Sequence, residues 1–317
     1  MGVIRKLVAD VQGERLDKFL ALRQKDLSRA HISNLAARGL VTVNGSTAKA
    51  SFRLRGGELV EIEVSPPPPT TLLPQDIPVS VVYEDDDLLV VDKPAGMVVH
   101  PAPGHPQDTL VNALLTRLPE LSRAEEGLRP GIVHRLDKDT SGLMVVAKNR
   151  RAHENVSRQI KEREIRKVYI ALATGYLEPA EGTIRTHIGR DPRNRKRMAV
   201  VDGGREAETS YSLLERLPGY TLVEAFPRTG RTHQIRVHFS SLGYPLAGDT
   251  LYGGKSPRLG RQFLHAHVLG LRLPATEEYI EFSSPLPVDL EAVLVKLRGS
   301  ETEVLAERAS GQLAERS

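Results

Sequence analysis

The sequence predicts an α+β protein with two domains, a small basic one and a larger one built on a mixed, mostly antiparallel β-sheet with flanking helices. Three observations support this fold class. The chain has 317 residues, which is more than one domain usually needs. Residues 66–69 are four consecutive prolines, which favour an extended spacer. Beyond them, short apolar runs and helical patterns alternate irregularly, as in α+β proteins rather than in regular βαβ units.

These observations set the expected boundaries. We predict a small domain over residues 14–64, a proline-rich linker over 65–78 and a main domain over 79–298. Residues 299–317 follow as a C-terminal tail. From 301 onward they contain four Glu and two Arg with little apolar content, so we expect the tail to be mobile.

The small domain begins with two predicted helices. Leu16, Phe19 and Leu20 share one face of the first helix, and Ser28 is a good N-cap for the second. A strand over residues 41–43 then enters an Asn-Gly hairpin turn.

The main domain alternates predicted strands and helices. Predicted strands cover residues 80–83, 87–91, 143–147, 167–172, 220–225, 263–273 and 279–282. Predicted helices cover residues 109–118, 151–164 and 231–243, the last closed by a glycine.

Basic residues cluster in two places. The formal net charge is only +4, but the first 64 residues hold 11 Lys and Arg against 7 Asp and Glu, among them Arg29 and Arg38. Residues 185–197 form the most basic run, and Asp191-Pro192 predicts a loop there. A solvated surface would explain either cluster, but phosphate binding also would. The candidate phosphate contacts of the second cluster are Arg193, Arg195, Lys196 and Arg197.

The chain contains no cysteine, which excludes disulfides, thiolate zinc sites and a cysteine nucleophile. The N-terminus lacks the apolar region of a signal peptide, and no apolar run approaches the roughly 20 residues of a membrane helix. We therefore expect a cytoplasmic protein with no membrane partner.

Residues 131–148, GIVHRLDKDTSGLMVVAK, set several charges between buried-looking runs. A buried charge is costly unless it is paired, so Asp137 with an arginine partner is the first active-site candidate. Asp137 and Asp139 could form a glycosidase-like pair. The turn chemistry at residues 140–142 instead favours Asp139 as a residue that fixes the loop.

Two other patterns fail on inspection. Residues 248–256, GDTLYGGKS, resemble a phosphate-binding P-loop, but the required first glycine falls on Asp249. His265 and His267 lack a carboxylate or thiolate ligand at a suggestive spacing, so we predict no metal site.

Two resemblances cover almost the whole chain. RLDKFL, SRAHI and GLVTVNG resemble the S4 domain, a family that presents a basic helix pair to structured RNA. HRLDKDTSGL and GRTHQIRVH resemble the large-subunit ribosomal pseudouridine synthases, closest to the synthase D type that carries an S4 domain. This resemblance implies isomerisation of uridine in RNA to its C-glycoside, without cofactor, redox change or metal.

The resemblance also implies roles for individual residues. Asp137 matches the catalytic aspartate, which either attacks C1′ or removes a sugar proton. Tyr169 matches the active-site tyrosine, whose role is to stack on uracil or to act as a base at C5. Arg236 is the expected partner that keeps Asp137 charged, with Arg231 as second choice. The remaining residues expected to contact substrate are His134, Arg135, Arg231, His233 and Gln234.

We expect the substrate to be a stem-loop of large-subunit ribosomal RNA, either free or within a pre-ribosomal particle. We also expect the enzyme to be a monomer. Transfer RNA is an alternative substrate. Two other classes of function stay open from the residues alone. A non-catalytic S4 protein would explain residues 14–63, and a glycoside hydrolase would explain paired carboxylates.

Overall fold

The computed structural model describes residues 3–24, 27, 29–64, 72–102, 104–119, 121, 131–194, 196–254 and 259–299. The chain divides into two compact units, Met1–Thr71 and Leu72–Ser317. This division falls inside the segment predicted as a linker, residues 65–78. The four prolines, the predicted N-cap Ser28 and the tail beyond residue 299 lie outside the described residues.

The first unit is a four-stranded antiparallel sheet with two helices. Its elements are β1 (Val3–Val8), α1 (Leu16–Arg23), α2 (Arg29–Ala37), β2 (Val41–Val43), β3 (Ser46–Thr47) and β4 (Leu59–Val64). Asn44 and Gly45 both have positive φ, as the tight turn between β2 and β3 requires. Strand β1 lies before the predicted boundary at residue 14, but it pairs with β4 along its whole length and completes the sheet of this compact unit.

The second unit is built on a ten-stranded sheet. Its strands are β5 (Ser80–Glu84), β6 (Leu88–Lys93), β7 (Ser141–Ala147), β8 (Arg166–Thr174), β9 (Glu181–Arg190), β10 (Met198–Val200), β11 (Arg205–Leu217), β12 (Tyr220–Pro227), β13 (Leu264–Arg272) and β14 (Tyr279–Ser283). The order is β10-β9-β11-β12-β8-β13-β7-β6-β5, and β14 also pairs with β13. The β7–β13 pair is parallel and the other described pairs are antiparallel, which confirms the predicted α+β class.

Helices cover both faces of this sheet. They are α3 (Leu110–Arg117), α4 (Arg150–Glu162), α5 (Gln234–Ser241) and a helix over residues 288–299. Leu89 and Met144 pack with α3, whereas Leu88 and Val145 pack with α4. Because neighbouring residues of a strand point to opposite faces, residues 88–91 of β6 and 143–147 of β7 are apolar without interruption and are buried on both sides. Their rigidity fixes the loop that precedes β7.

The structure corrects the predicted loop over residues 185–197. Strand β9 continues to Arg190, and the turn begins only at Asp191. The strand was missed because its buried side chains, Ile184 and Ile188, stand four residues apart between polar ones. Strand β11 was missed for a similar reason, since its N-terminal half alternates charged and small residues.

The helix predicted to start at Arg231 begins at Gln234 instead. His233 has a left-handed backbone, with φ at 57°, so the preceding residues form a turn rather than a first helical turn. Among the helices that the structure describes, none is long and apolar enough to cross a membrane.

Candidate active site

Asp137 lies in the loop that enters β7, and main-chain hydrogen bonds hold this loop in place. The carbonyl of Asp137 accepts a hydrogen bond from Thr140 N at 3.1 Å. The side chains of Arg261 and Gln262 donate to the Asp139 carbonyl and the Thr140 hydroxyl, each at 3.1 Å. The predicted loop-fixing role of Asp139 therefore runs through its carbonyl oxygen in the described hydrogen bonds.

Lys93 supports the same loop from below. Its side chain is fully buried, and Nζ donates to the carbonyls of Pro94, Met97 and Lys138 at 2.7, 2.9 and 3.0 Å. Burial lowers the pKa of Lys93 to about 7, while the charges of Asp139 and Asp137 partly oppose this shift. Three carbonyl acceptors match the three hydrogens of an ammonium group. Lys93 thus ties β6 to the residue that directly follows Asp137.

Arg236 stands between two carboxylates. Its Nη1 donates to Asp137 Oδ2 at 3.0 Å, while Nε and Nη2 donate to the two oxygens of Asp249 at 2.7 and 2.9 Å. Burial lowers the pKa of Arg236, but the hydrogen bonds to Asp249 and the charge of Asp137 outweigh burial and raise that pKa above its ordinary value. The bidentate pair fixes the guanidinium plane, so that Nη1 points at Asp137.

A cavity of about 560 Å³ opens above this ion pair. Tyr169 on β8 and Leu264 on β13 line it together with Asp137. Burial raises the pKa of the Tyr169 phenol, and the charge of Asp137 raises it further. The phenol is therefore kept protonated, and its ring offers a flat wall beside the carboxylate.

The rest of the cavity lining is strongly basic. Asp137 is the one acidic residue among the described lining residues. The lysines and arginines that line it are Arg135, Lys161, Arg163, Lys167, Arg205, Arg228, Arg231 and Arg236. Such an excess of positive charge suits a polyanionic substrate.

The predicted contact residues near the cavity differ in their surroundings. Arg135 is exposed at the cavity wall and makes no hydrogen bond or ion pair with the residues that the structure describes. Arg231 also lines the cavity, but its Nε donates to the Glu206 carbonyl at 2.9 Å. It does not replace Arg236 as the partner of Asp137. His233 lies with Nε2 at 4.0 Å from Asp137 Oδ1.

Two further predicted contacts serve the protein's own structure. The Gln234 side chain is buried and makes four hydrogen bonds, with Thr229, Arg231 N, Glu208 O and Thr209. His134 Nε2 accepts a hydrogen bond from Val145 N at 3.0 Å. Burial, with Lys167 nearby, lowers the pKa of His134 to about 3, so this imidazole is neutral. The amide of Gln234 and the Nε2 atom of His134 are therefore engaged within the protein itself.

The remaining candidate contacts lie away from the cavity. Arg29 pairs with Asp17 at 2.9 Å and Arg38 is exposed, both in the first unit. In the β9–β10 turn, Arg193 and Lys196 are exposed, and Arg197 pairs with Asp191 at 2.6 Å. Arg195 lies outside the described residues.

The histidines rejected as metal ligands have structural hydrogen bonds. His265 is buried between the Ser141 hydroxyl and the Ser284 carbonyl, at 3.0 and 3.1 Å. His267 Nδ1 lies 2.6 Å from the same carbonyl of Ser284.

Sequence reasoning missed Asp249, Tyr252 and the rim residues on α4 and β11. Asp249 and Tyr252 belong to the stretch that was rejected as a P-loop. That rejection left a buried aspartate between glycines without a role, although an acidic residue in a close-packed turn is itself a signal. Lys93 carried a similar signal, a lysine at the end of a strand whose first four residues, 88–91, are apolar.

Comparisons with known proteins identify the family of the chain. The sequence model of the RNA pseudouridylate synthase family matches residues 87–241, and that of the S4 domain matches residues 14–60. An RNA pseudouridine synthase of Chloroflexus aurantiacus is 52% identical over 287 residues, which are 90% of each chain. The ribosomal large subunit pseudouridine synthase D of Xanthomonas campestris pv. campestris is 44% identical over 90% of this chain and 89% of that protein.

Solved structures point the same way. Human RNA pseudouridylate synthase domain containing 1 is 32% identical, with a TM-score of 0.56 over 72% of this chain and 90% of that chain. Human RNA pseudouridylate synthase domain containing 4 is 28% identical, with a TM-score of 0.54 over 69% of this chain and 93% of that chain.

The fold and the carboxylate site in its basic cavity are those of an RNA-modifying enzyme. More narrowly, the chain belongs to the RNA pseudouridine synthase family and carries an S4 domain. This result favours the enzyme over the two alternatives that the residues left open, the non-catalytic S4 protein and the glycoside hydrolase.

Proposed function

We propose that the protein isomerises specific uridines in a stem-loop of large-subunit ribosomal RNA to pseudouridine, with Asp137 as the catalytic carboxylate. The observation that carries this proposal is the ion pair at the cavity floor. Asp137 lies 3.0 Å from a guanidinium that Asp249 holds in place, and Tyr169 lines the same cavity. Relatives that are named synthase D support the ribosomal substrate.

The reaction breaks the C1′–N1 bond, turns the uracil and joins C5 to C1′. The C5 hydrogen is lost as a proton and N1 gains one, so the change is redox-neutral and the proposed route uses no cofactor. Asp137 acts either as a nucleophile at C1′ or as the base that removes a sugar proton. Both routes require an ionised carboxylate, and Arg236 supplies the positive charge that stabilises it.

Tyr169 acts mainly as a surface on which the uracil stacks. The raised pKa of its phenol makes it a poor base at neutral pH. Stacking on an aromatic face contributes about 1–3 kcal/mol per base in nucleic-acid complexes. This role requires the target uridine to leave its own base stack and enter the cavity.

The basic rim binds the flanking phosphates of the RNA. Arg135 is a candidate for such a contact, because it is exposed at the cavity wall and no described partner occupies its guanidinium. In the first unit, Arg29 and Arg38 are the candidate contacts for a neighbouring RNA segment, as the S4 match supports.

The proposal is tested by mapping pseudouridine in RNA from cells that lack the protein and from cells complemented with variants. Wild type should restore one or a few sites in large-subunit ribosomal RNA. Asp137→Asn should restore none while the protein stays folded and binds RNA. Asp139→Asn is the matched control, because it removes a carboxylate from the same loop outside the cavity lining.

Restoration of the sites by Asp137→Asn would refute the catalytic assignment. Sites that appear only in transfer RNA would refute the ribosomal substrate but keep the activity.

A further inference from the structure

Tyr252 connects the active site to the edge of the sheet. Its hydroxyl lies 2.9 Å from His233 Nδ1, accepts a hydrogen bond from Met198 N at 2.9 Å and donates to Met198 O at 3.1 Å. Met198 begins β10, the edge strand with which the sheet order starts. One phenol group therefore joins both backbone groups of an edge strand to an imidazole beside Asp137.

Tyr252 is also held firmly in place. Its side chain is buried, and its carbonyl accepts a hydrogen bond from Ser240 Oγ on α5 at 3.1 Å. The Arg236 guanidinium stacks over its ring, with Cζ at 5.1 Å from the ring centre. Burial raises the pKa of the Tyr252 phenol to about 12, so the hydroxyl keeps its hydrogen.

Counting hydrogens favours one tautomer of His233. A hydroxyl has one hydrogen to donate and two lone pairs that accept. One lone pair of Tyr252 takes the Met198 N–H, and its hydrogen goes to Met198 O. The remaining lone pair can bond to His233 only if Nδ1 carries a hydrogen. With the other tautomer, Tyr252 would have to turn its hydrogen to Nδ1 and give up Met198 O.

A neutral imidazole with its hydrogen on Nδ1 has a bare lone pair on Nε2. Burial lowers the pKa of His233, with the charge of Asp137 opposing, so the neutral form is favoured. Nε2 then faces Asp137 Oδ1 at 4.0 Å as a second acceptor. A donor group placed about 2.8 Å from each atom would fit between them.

We propose that Tyr252 is a positioning residue: its hydroxyl, anchored on Met198, holds His233 in the Nδ1–H tautomer, so that Nε2 accepts a hydrogen bond from the target nucleotide beside Asp137. The donor is an O–H or N–H group of the ribose or the uracil. The inference rests on the proposed function for the identity of this nucleotide. The tautomer itself is a property of the free protein.

The first test uses NMR on the full chain labelled with ¹⁵N-histidine. Correlations between ring nitrogens and carbon-bound ring hydrogens distinguish the two tautomers, and loss of the signals in His233→Asn identifies His233. Asparagine suits this position because it tolerates the left-handed backbone there. Wild type should show the Nδ1–H form, and Tyr252→Phe should shift His233 towards the Nε2–H form. A wild-type Nε2–H form, or no change in Tyr252→Phe, would overturn the inference.

The second test measures steady-state kinetics on the RNA that the wild type modifies. Tyr252→Phe keeps the ring under Arg236 and removes only the hydroxyl. We expect kcat to fall about tenfold, the value of one hydrogen bond, with KM changed less than about threefold. Tyr176→Phe is the matched control, because that hydroxyl also accepts a hydrogen bond from a backbone N–H, at Gly219, outside the cavity lining. An equal loss of kcat in both variants would refute the role of Tyr252.

A double-mutant comparison shows whether Tyr252 acts through His233. In the His233→Asn background, Tyr252→Phe should lower kcat by less than about twofold. A further tenfold loss would mean that Tyr252 acts independently, and the inference would be wrong. Failure of the proposed function is a separate result: the wild type would form no pseudouridine, while the NMR experiment, which needs no substrate, would still determine the tautomer.

Discussion

Asp249 provides the sharpest test of how the active site is held together. Its carboxylate is almost completely buried and takes two of the three hydrogen bonds that Arg236 makes in this site. Asp249→Asn keeps the size of the side chain but replaces one acceptor oxygen with an NH₂ group. The NH₂ group cannot accept a hydrogen bond from the guanidinium. Its own hydrogens instead point at the hydrogens of Arg236, so that two donors face each other.

The expected losses follow from this geometry. Breaking a buried ion pair costs about 3–5 kcal/mol, and the surviving acceptor of asparagine places the loss of unfolding free energy near the lower end, about 3 kcal/mol. The freed guanidinium can also turn away from Asp137. A displacement of about 1 Å in a catalytic group can lower the rate about 100-fold, and we expect a loss of this size in kcat.

The assay is the steady-state release of tritium at saturating concentrations of RNA labelled at uridine C5, which gives kcat, beside urea unfolding of the same preparations. Asp87→Asn is the matched control, because Asp87 is also buried and contacts an arginine, Arg151, with both oxygens, at 2.7 and 3.0 Å. Asp87 does not line the cavity, so this variant should lose stability without losing kcat. Folded Asp249→Asn with activity within threefold of wild type would refute the proposed anchoring of Arg236.

Two further predictions concern buried groups of the second unit. Lys93→Met should lower the free energy of unfolding by about 3 kcal/mol and abolish most activity, because three carbonyls lose their donor. Lys148→Met is its control, since that ammonium donates to Glu84 Oε1 and to the Asp85 carbonyl and lies outside the cavity lining. Retention of full activity by Lys93→Met would contradict the loop-holding role. Burial lowers the pKa of His238 to about 4, so between pH 7 and pH 5 the unfolded chain takes up a proton that the folded one does not. Stability should fall over this range, and His238→Gln should reduce the fall by about 2 kcal/mol in urea titrations. An unchanged pH dependence in His238→Gln would show that burial does not lower the pKa of His238.

The sequence predicted the buried strands well because their chemistry is local. Residues 88–91 and 143–147 are apolar without interruption, which is what burial on both faces of a sheet requires. Helix α3 was equally readable, since Leu110, Leu114 and Leu118 fall on one face of the predicted helix. The structure adds a capping box of Thr109 and Asn112 at its start. In both cases neighbouring residues carry the whole signal.

Strands β9 and β11 were missed because their environment is not local. Each pairs with the other, and most side chains of β9 face solvent, so Arg185 and Arg190 occupy strand positions that look like loop positions. Arg185 finds its partner, Glu208, on the neighbouring strand at 3.1 Å. Only the pairing register reveals that the two charges meet.

The candidate active site shows the same limit. Asp137 was found from the cost of burying its charge, whereas Arg236 and Tyr169 came from the resemblance to a family. Asp137 and Arg236 are 99 positions apart in the chain. The sheet order brings these distant parts of the chain together, since β7 lies beside β13 and β13 lies beside β8. No periodicity in the sequence encodes that order.

Asp249 was hidden by the glycines around it. These glycines made residues 248–256 resemble a phosphate-binding P-loop that lacks its required first glycine. The structure shows a different reason for their presence. Gly248 has a φ of 74°, and a Cβ there would overlap the carbonyl oxygen of Arg261. A Cβ on Gly254 would overlap the carbonyl oxygen of Leu246. The glycines let backbone pack against backbone, and this packing presses Asp249 and Tyr252 against Arg236, where one fixes the guanidinium and the other reaches His233.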